Sequence, residues 1–226
     1  MLKTGLVIGI LLALVSPLCY ASVGLSLLAF DAQFFQGMQI RLGWENTDQL
    51  AQWDRMLVAY FAGGSLDPTL QSLFTDRELV HLTDIRGLLG LLVRITEGLA
   101  VIYFLLVVLL FMLAGREALR LFTATVWVSA VLLLVAGGLI VLFFDQFFLQ
   151  FHLLSFSNDF WQLGPQYLLY RLFPPDLFFQ AALPYLALVF LLMLMAYLLV
   201  KTISPRRQAK SGGVGELLRS SHIGSG

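Results

Sequence analysis

DQFFLQFHLLSFSNDFWQLGPQYLLYRLFPPDLFF, residues Asp145–Phe179, is the stretch whose reading decides the fold. It holds His152, one of three histidines, in a dense run of Phe, Trp and Tyr, with Asn158 and Asp159 just downstream. On either side lie Leu121–Phe144 and Ala181–Val200, both apolar enough to cross a bilayer, whose hydrocarbon takes about 20 such residues. A weakly polar, aromatic connection between two spans is not a solvated loop. Amphipathic rings are favoured at the lipid–water boundary, so the stretch belongs there. An imidazole held at that level is a candidate for chemistry on a lipid.

The composition agrees. Of 226 residues, 59% are hydrophobic and 12% charged, and the mean hydropathy is +0.85. Soluble domains carry roughly 25% charged residues, so most of this surface faces something other than water. The chain reads as an all-α integral membrane protein. Its formal net charge is zero, which gives no basic excess for nucleic acid. The single cysteine, Cys19, lies within an apolar run. No disulfide framework or cysteine metal site is available, and neither metal nor cofactor is expected.

Upstream, Gly5–Phe30 is nearly unbroken apolar sequence. It is longer than the ~7–15 residues of a signal-peptide core, so residues 1–30 are read as a first, uncleaved transmembrane helix, with Pro17 a candidate kink. Residues 31–86 change character. Acidic residues recur, Gly63-Gly64-Ser65 and Asp67-Pro68 signal turns, and Leu50, Trp53, Leu57, Tyr60 and Phe61 fall at helical spacing. Thr75 with Glu78 three residues later predicts a capped helix start. Residues 87–144 contain the second and third spans, joined by a turn carrying Arg116, Glu117 and Arg120. Arg94 and Glu97 near the start of the second are spaced to pair on one helix face. The aromatic stretch fills 145–180, the fourth span 181–200, and 201–226 is a polar tail without a core-forming pattern, expected to be disordered.

Basic residues clustered at span ends, Arg116/Arg120 and Lys201/Arg206/Arg207, predict both termini in the cytoplasm. The insertions 31–86 and 145–180 then meet outside and form one extracytoplasmic cap over a four-helix bundle. That topology places His81 and His152 at the same depth, the outer membrane surface. On a helix Glu78 and Asp84 each lie three residues from His81, close enough to fix its tautomer. His222 falls in the tail. No serine nucleophile elbow, phosphate loop or metal spacing is present.

These residues also carry a resemblance. Glu78-x-x-His81-x-x-Asp84, preceded by Tyr60 in LVAYFAGG, resembles one signature of the lipoprotein intramolecular transacylase (Lit) family. Phe151-His152-x-x-x-Phe156-x-Asn158-x-x-Trp161-x-Leu163-x-Pro165, then Pro175-x-x-Phe178-Phe179, resembles the other. Leu82 stands where the family often has Met, and Gly164 where an acidic or amide residue is common. The resemblance implies a bacterial cytoplasmic-membrane acyltransferase with two essential histidines, here His81 and His152. Glu78, Asp84, Phe151, Asn158, Trp161 and Phe178 become candidates for orienting them or lining a pocket. The implied substrate is a diacylglyceryl lipoprotein among membrane lipids. Its sn-2 acyl chain moves to the α-amine of its N-terminal cysteine, giving the lyso form. Read from the residues alone, a bis-histidine haem- or quinone-binding subunit and a non-enzymatic scaffold also stand open.

Overall fold

A computed structural model describes residues 2–203. The polar tail beyond 203, with His222, lies outside them. Nine α-helices and one 3₁₀ turn account for the ordered elements, and no strand occurs among the described residues. Four helices are long and apolar enough to span a membrane. They are α1 (Leu2–Ala29), α5 (Asp76–Leu113), α6 (Ala118–Leu142) and α9 (Pro175–Ile203). Between them lie α2 (Ala32–Arg41), α3 (Asp48–Phe61), α4 (Pro68–Gln71), α7 (Phe144–Ser155) and α8 (Leu168–Leu172).

Helix α1 is the hub, packed against α5, α6 and α9. Lipid tails are as apolar as leucine, so close approach and interhelical hydrogen bonds supply the association. Ser16 Oγ meets Ser129 Oγ at 2.5 Å, Tyr20 and Tyr103 hydroxyls meet at 2.7 Å, and Tyr185 donates to the Ala21 carbonyl at 3.1 Å. A methyl group added at Gly24 would come within 2.7 Å of Val189, so glycine is what lets α1 and α9 approach so closely. Outward-facing Leu, Val and Phe on all four helices remain exposed to lipid.

Helix α5 carries the fold out of the bilayer. Its 38 residues rise about 57 Å, nearly twice a hydrocarbon core of about 30 Å. The N-terminus is fixed by a capping box: Thr75 N and Oγ1 donate to Glu78 Oε2 at 2.8 and 2.9 Å, and Glu78 N donates back to Thr75 Oγ1 at 3.4 Å. Its first turns, with Leu79 and Leu82, pack into the core shared with α3 and α8.

The two insertions share one core. Leu50, Leu57 and Tyr60 of α3, Leu70, Phe74, and Leu82 of α5 pack with Leu169 and Leu172 of α8. Beneath it, Gln39 of α2 donates to Asp54 Oδ1 at 3.1 Å and to the Leu172 carbonyl at 3.2 Å, both side chains being buried. Desolvation pushes the Asp54 carboxyl up to about 6. Helix α9 starts at Pro175, so Phe178 sits on the opening turns of the fourth spanning helix. The expected Arg94–Glu97 pair is not formed. The ion pairs among the described residues are Arg77–Asp159 and Arg120–Glu117, while Arg94 and Glu97 are both exposed on α5, where reaching for polar surroundings competes with a weak pair.

Candidate active site

The histidines come from separate insertions. His81 stands on the second turn of α5, on the core-facing side with Leu82. His152 lies near the C-terminus of α7, a short helix redirected from α6 by a break at Phe143. Their ring centroids are 6.4 Å apart with planes inclined by 39°.

Aromatic rings enclose them. Phe156 meets His81 edge-on at 5.0 Å, and Phe148 and Trp161 lie 4.3 and 4.9 Å from His152. Phe151 packs edge-on to His152 at 5.3 Å, and Phe178 reaches the cluster through Phe148 at 5.9 Å. His81 is only 6% exposed. Open hollows elsewhere, one beside Trp44 and Tyr170 and one beside Phe144 and Asp176, are lined by neither histidine.

His152 Nδ1 lies 2.7 Å from the carbonyl of Phe148, one helical turn back. A carbonyl only accepts, so Nδ1 carries the proton and Nε2 of the neutral ring presents a lone pair. His81 Nδ1 is buried and has no partner among the described residues. Desolvation lowers both imidazoles from their ordinary value. His81 is taken down to about 4, with charge repulsion from His152 second and the opposing pull of Asp84 weaker. Both rings are therefore neutral near pH 7, as an acceptor of a proton must be.

Glu78 and Asp84 do not hydrogen-bond His81. Glu78 is 1% exposed and committed to the capping box, while its Oε1 accepts from Leu169 N at 2.8 Å. It bolts α8 onto α5. Asp84 Oδ2 accepts from Asn158 Nδ2 at 2.9 Å, and Asn158 Oδ1 accepts from Phe160 N at 3.0 Å. In this structure the two acids meet other donors instead: Thr75 and Leu169 hold Glu78, and Asn158 holds Asp84. Two participants escaped the sequence reading: the Phe148 carbonyl, and Arg77, which donates to the Asp159 carbonyl and lies over the Phe160 ring. Spacing could have found the first, four residues before His152 on one helix, whereas the partners of Arg77 lie far along the chain.

The fold is a helical membrane bundle in which two imidazoles, lowered by desolvation, are brought together among aromatic rings. The family profile for lipoprotein intramolecular transacylase Lit matches residues 6–179, and the chain belongs to that family. Solved structures agree in fold. The Bacillus cereus transacylase, determined in meso, superposes with a TM-score of 0.72 at 16% identity over 88% of this chain and 95% of that one. Two variants of it, with a histidine replaced by alanine or by arginine, give 0.70 and 0.69 at 16% and 15% identity, each over 88% of this chain and 93% of theirs. No curated protein sequence matches. The chain is thus a bacterial integral membrane transacylase acting on lipoprotein, and that reaction takes the place of the haem, quinone and scaffold readings.

Proposed function

We propose that His81 and His152 carry the protons as the sn-2 acyl chain of a diacylglyceryl lipoprotein moves to the α-amine of its N-terminal cysteine. The observation that supports this is the pair itself: two imidazoles 6.4 Å apart, His81 buried and His152 half-buried, packed against Phe148, Phe156 and Trp161. The basic clusters Arg116/Arg120 and Lys201–Arg207 favour cytoplasmic termini and a cap on the outer face, where membrane lipids surround the substrate.

The amine attacks the ester carbonyl. A C–N bond forms, and the nitrogen becomes a strongly acidic ammonium in the tetrahedral intermediate. A neutral imidazole accepts that proton. The imidazolium returns a proton to the glyceryl oxygen as the C–O bond breaks, leaving an amide and a free hydroxyl. Exchange of an ester for an amide runs downhill and needs no nucleotide. Charge on His152 disfavours charge on His81, which favours one added proton on the pair over two.

Closing the substrate's medium-sized ring is entropically unfavourable in solution. In this reading the rings of Phe151, Phe156, Trp161 and Phe178 hold the folded conformer, an effect worth up to ~7–11 kcal/mol when orientation is good. Keeping water from the bound ester would also suppress its hydrolysis.

Intramolecular transfer leaves the lipopeptide mass unchanged, so the test is fragmentation. Lipoprotein N-termini from cells with and without this chain are compared by tandem mass spectrometry. The chain should bring fragments with an acylated α-amine and a monoacylglyceryl thioether. Termini that keep a free amine in its presence would overturn the proposal.

A further inference from the structure

We infer that Arg77 is a positioning residue for this reaction: it pins the strap Asn158–Trp161 to α5 and through it holds Trp161 against His152. The inference rests on the function proposed above, in that the strap walls the histidine pair.

Arg77 and Asp84 bracket His81 on α5, four residues before it and three after, and so share its face of the helix. Both reach the irregular segment between α7 and α8. Asp84 takes the Asn158 amide at 2.9 Å. Arg77 grips the next two residues, donating to the Asp159 carbonyl and stacking its guanidinium 5.3 Å from the Phe160 ring centre. Trp161 follows at once, 4.9 Å from His152. The strap is clipped on both sides of the buried histidine, and the clips are side chains rather than helix backbone. The strap is the non-helical wall of the cluster, and these two clips set its position.

The Arg77–Asp159 carboxylate contact is not the clip. It spans 3.9 Å, and the two side chains are 31% and 71% exposed, so solvent screens it. Holding a carbonyl and stacking on a ring together requires a planar guanidinium, which lysine lacks.

The full chain is purified in detergent with Cys19→Ala and a single reporter, Trp161→Cys, and maleimide labelling is timed. Arg77→Ala should speed labelling about 10–100-fold, the weight of a hydrogen bond from a charged donor, and Arg77→Lys should do most of the same. Asp159→Asn should stay within about fivefold. With a synthetic diacylglyceryl lipopeptide and native Trp161, Arg77→Ala should lower kcat more than it raises KM. Adding Trp161→Ala should then cost little more than Trp161→Ala alone, because both substitutions remove one feature. Unchanged labelling in Arg77→Ala, or additive losses of kcat, overturns the inference. Should the unsubstituted chain fail to convert lipopeptide, the functional reading falls, and the labelling rates still decide the role of Arg77.

Discussion

Glu78 separates a structural reading of the cap from a chemical one. Replacing it with alanine removes three acceptor contacts, those from Thr75 N, Thr75 Oγ1 and Leu169 N. Loss of the capping box costs about 0.5–2 kcal/mol. The buried Leu169 amide is left without its acceptor, at a further ~1–3 kcal/mol. Together these lower stability by about 2–5 kcal/mol, which for a chain of this size moves the unfolding midpoint down by about 5–20 °C. Glu78→Gln keeps one acceptor oxygen and should fall in between. The assay is thermal unfolding in detergent by tryptophan fluorescence, paired with lipopeptide turnover at a temperature where the variants remain folded. Glu78→Ala should unfold early yet turn over substrate nearly normally while folded. An unshifted midpoint with turnover abolished would refute the structural assignment and return Glu78 to the chemistry.

For topology, single cysteines at Gly64 and Ser211 should label from outside and from inside the cell respectively; labelling from one side would contradict the four-span arrangement. Asp84→Ala frees Asn158 and should lower turnover about tenfold, whereas Asp84→Asn keeps an acceptor oxygen and should lose less. The histidines set the pH response. Both are lowered in the folded protein, so between about pH 6.5 and about 4 the unfolded chain binds more protons than the folded one. Their contribution is therefore fully present above about pH 6.5 and declines as pH falls through that window, while the raised Asp54 carboxyl opposes it below about pH 6, so the slope is read in an Asp54→Asn background. A midpoint constant from pH 7 to 4.5 in that background would contradict it.

Run length made the four spans legible, because no soluble alternative explains so many consecutive apolar residues. The topology that follows put His81 and His152 at one level, and the motifs named them. What stayed hidden was competition from far along the chain. Spacing shows that Glu78, His81 and Asp84 share a helix face, but not that Leu169 and Asn158, 91 and 74 residues away, claim the two acids. The same limit hid the buried Gln39–Asp54 contact, which sequence shows only as polar residues on two amphipathic segments. Arg77 was missed because its partner is a backbone carbonyl, which no residue type announces.

The most direct test of the histidine pair is the rate at which purified single variants turn diacylglyceryl lipopeptide into its N-acyl isomer. Tandem mass spectrometry reads the product, and unfolding midpoints confirm that the variants are folded. His81→Ala and His152→Ala should each lose about 10²–10⁴-fold in rate, and the double variant should be hardly slower than the poorer single one, because the two act as a unit. A folded His152→Ala protein that isomerises the lipopeptide at the unsubstituted rate would contradict the account.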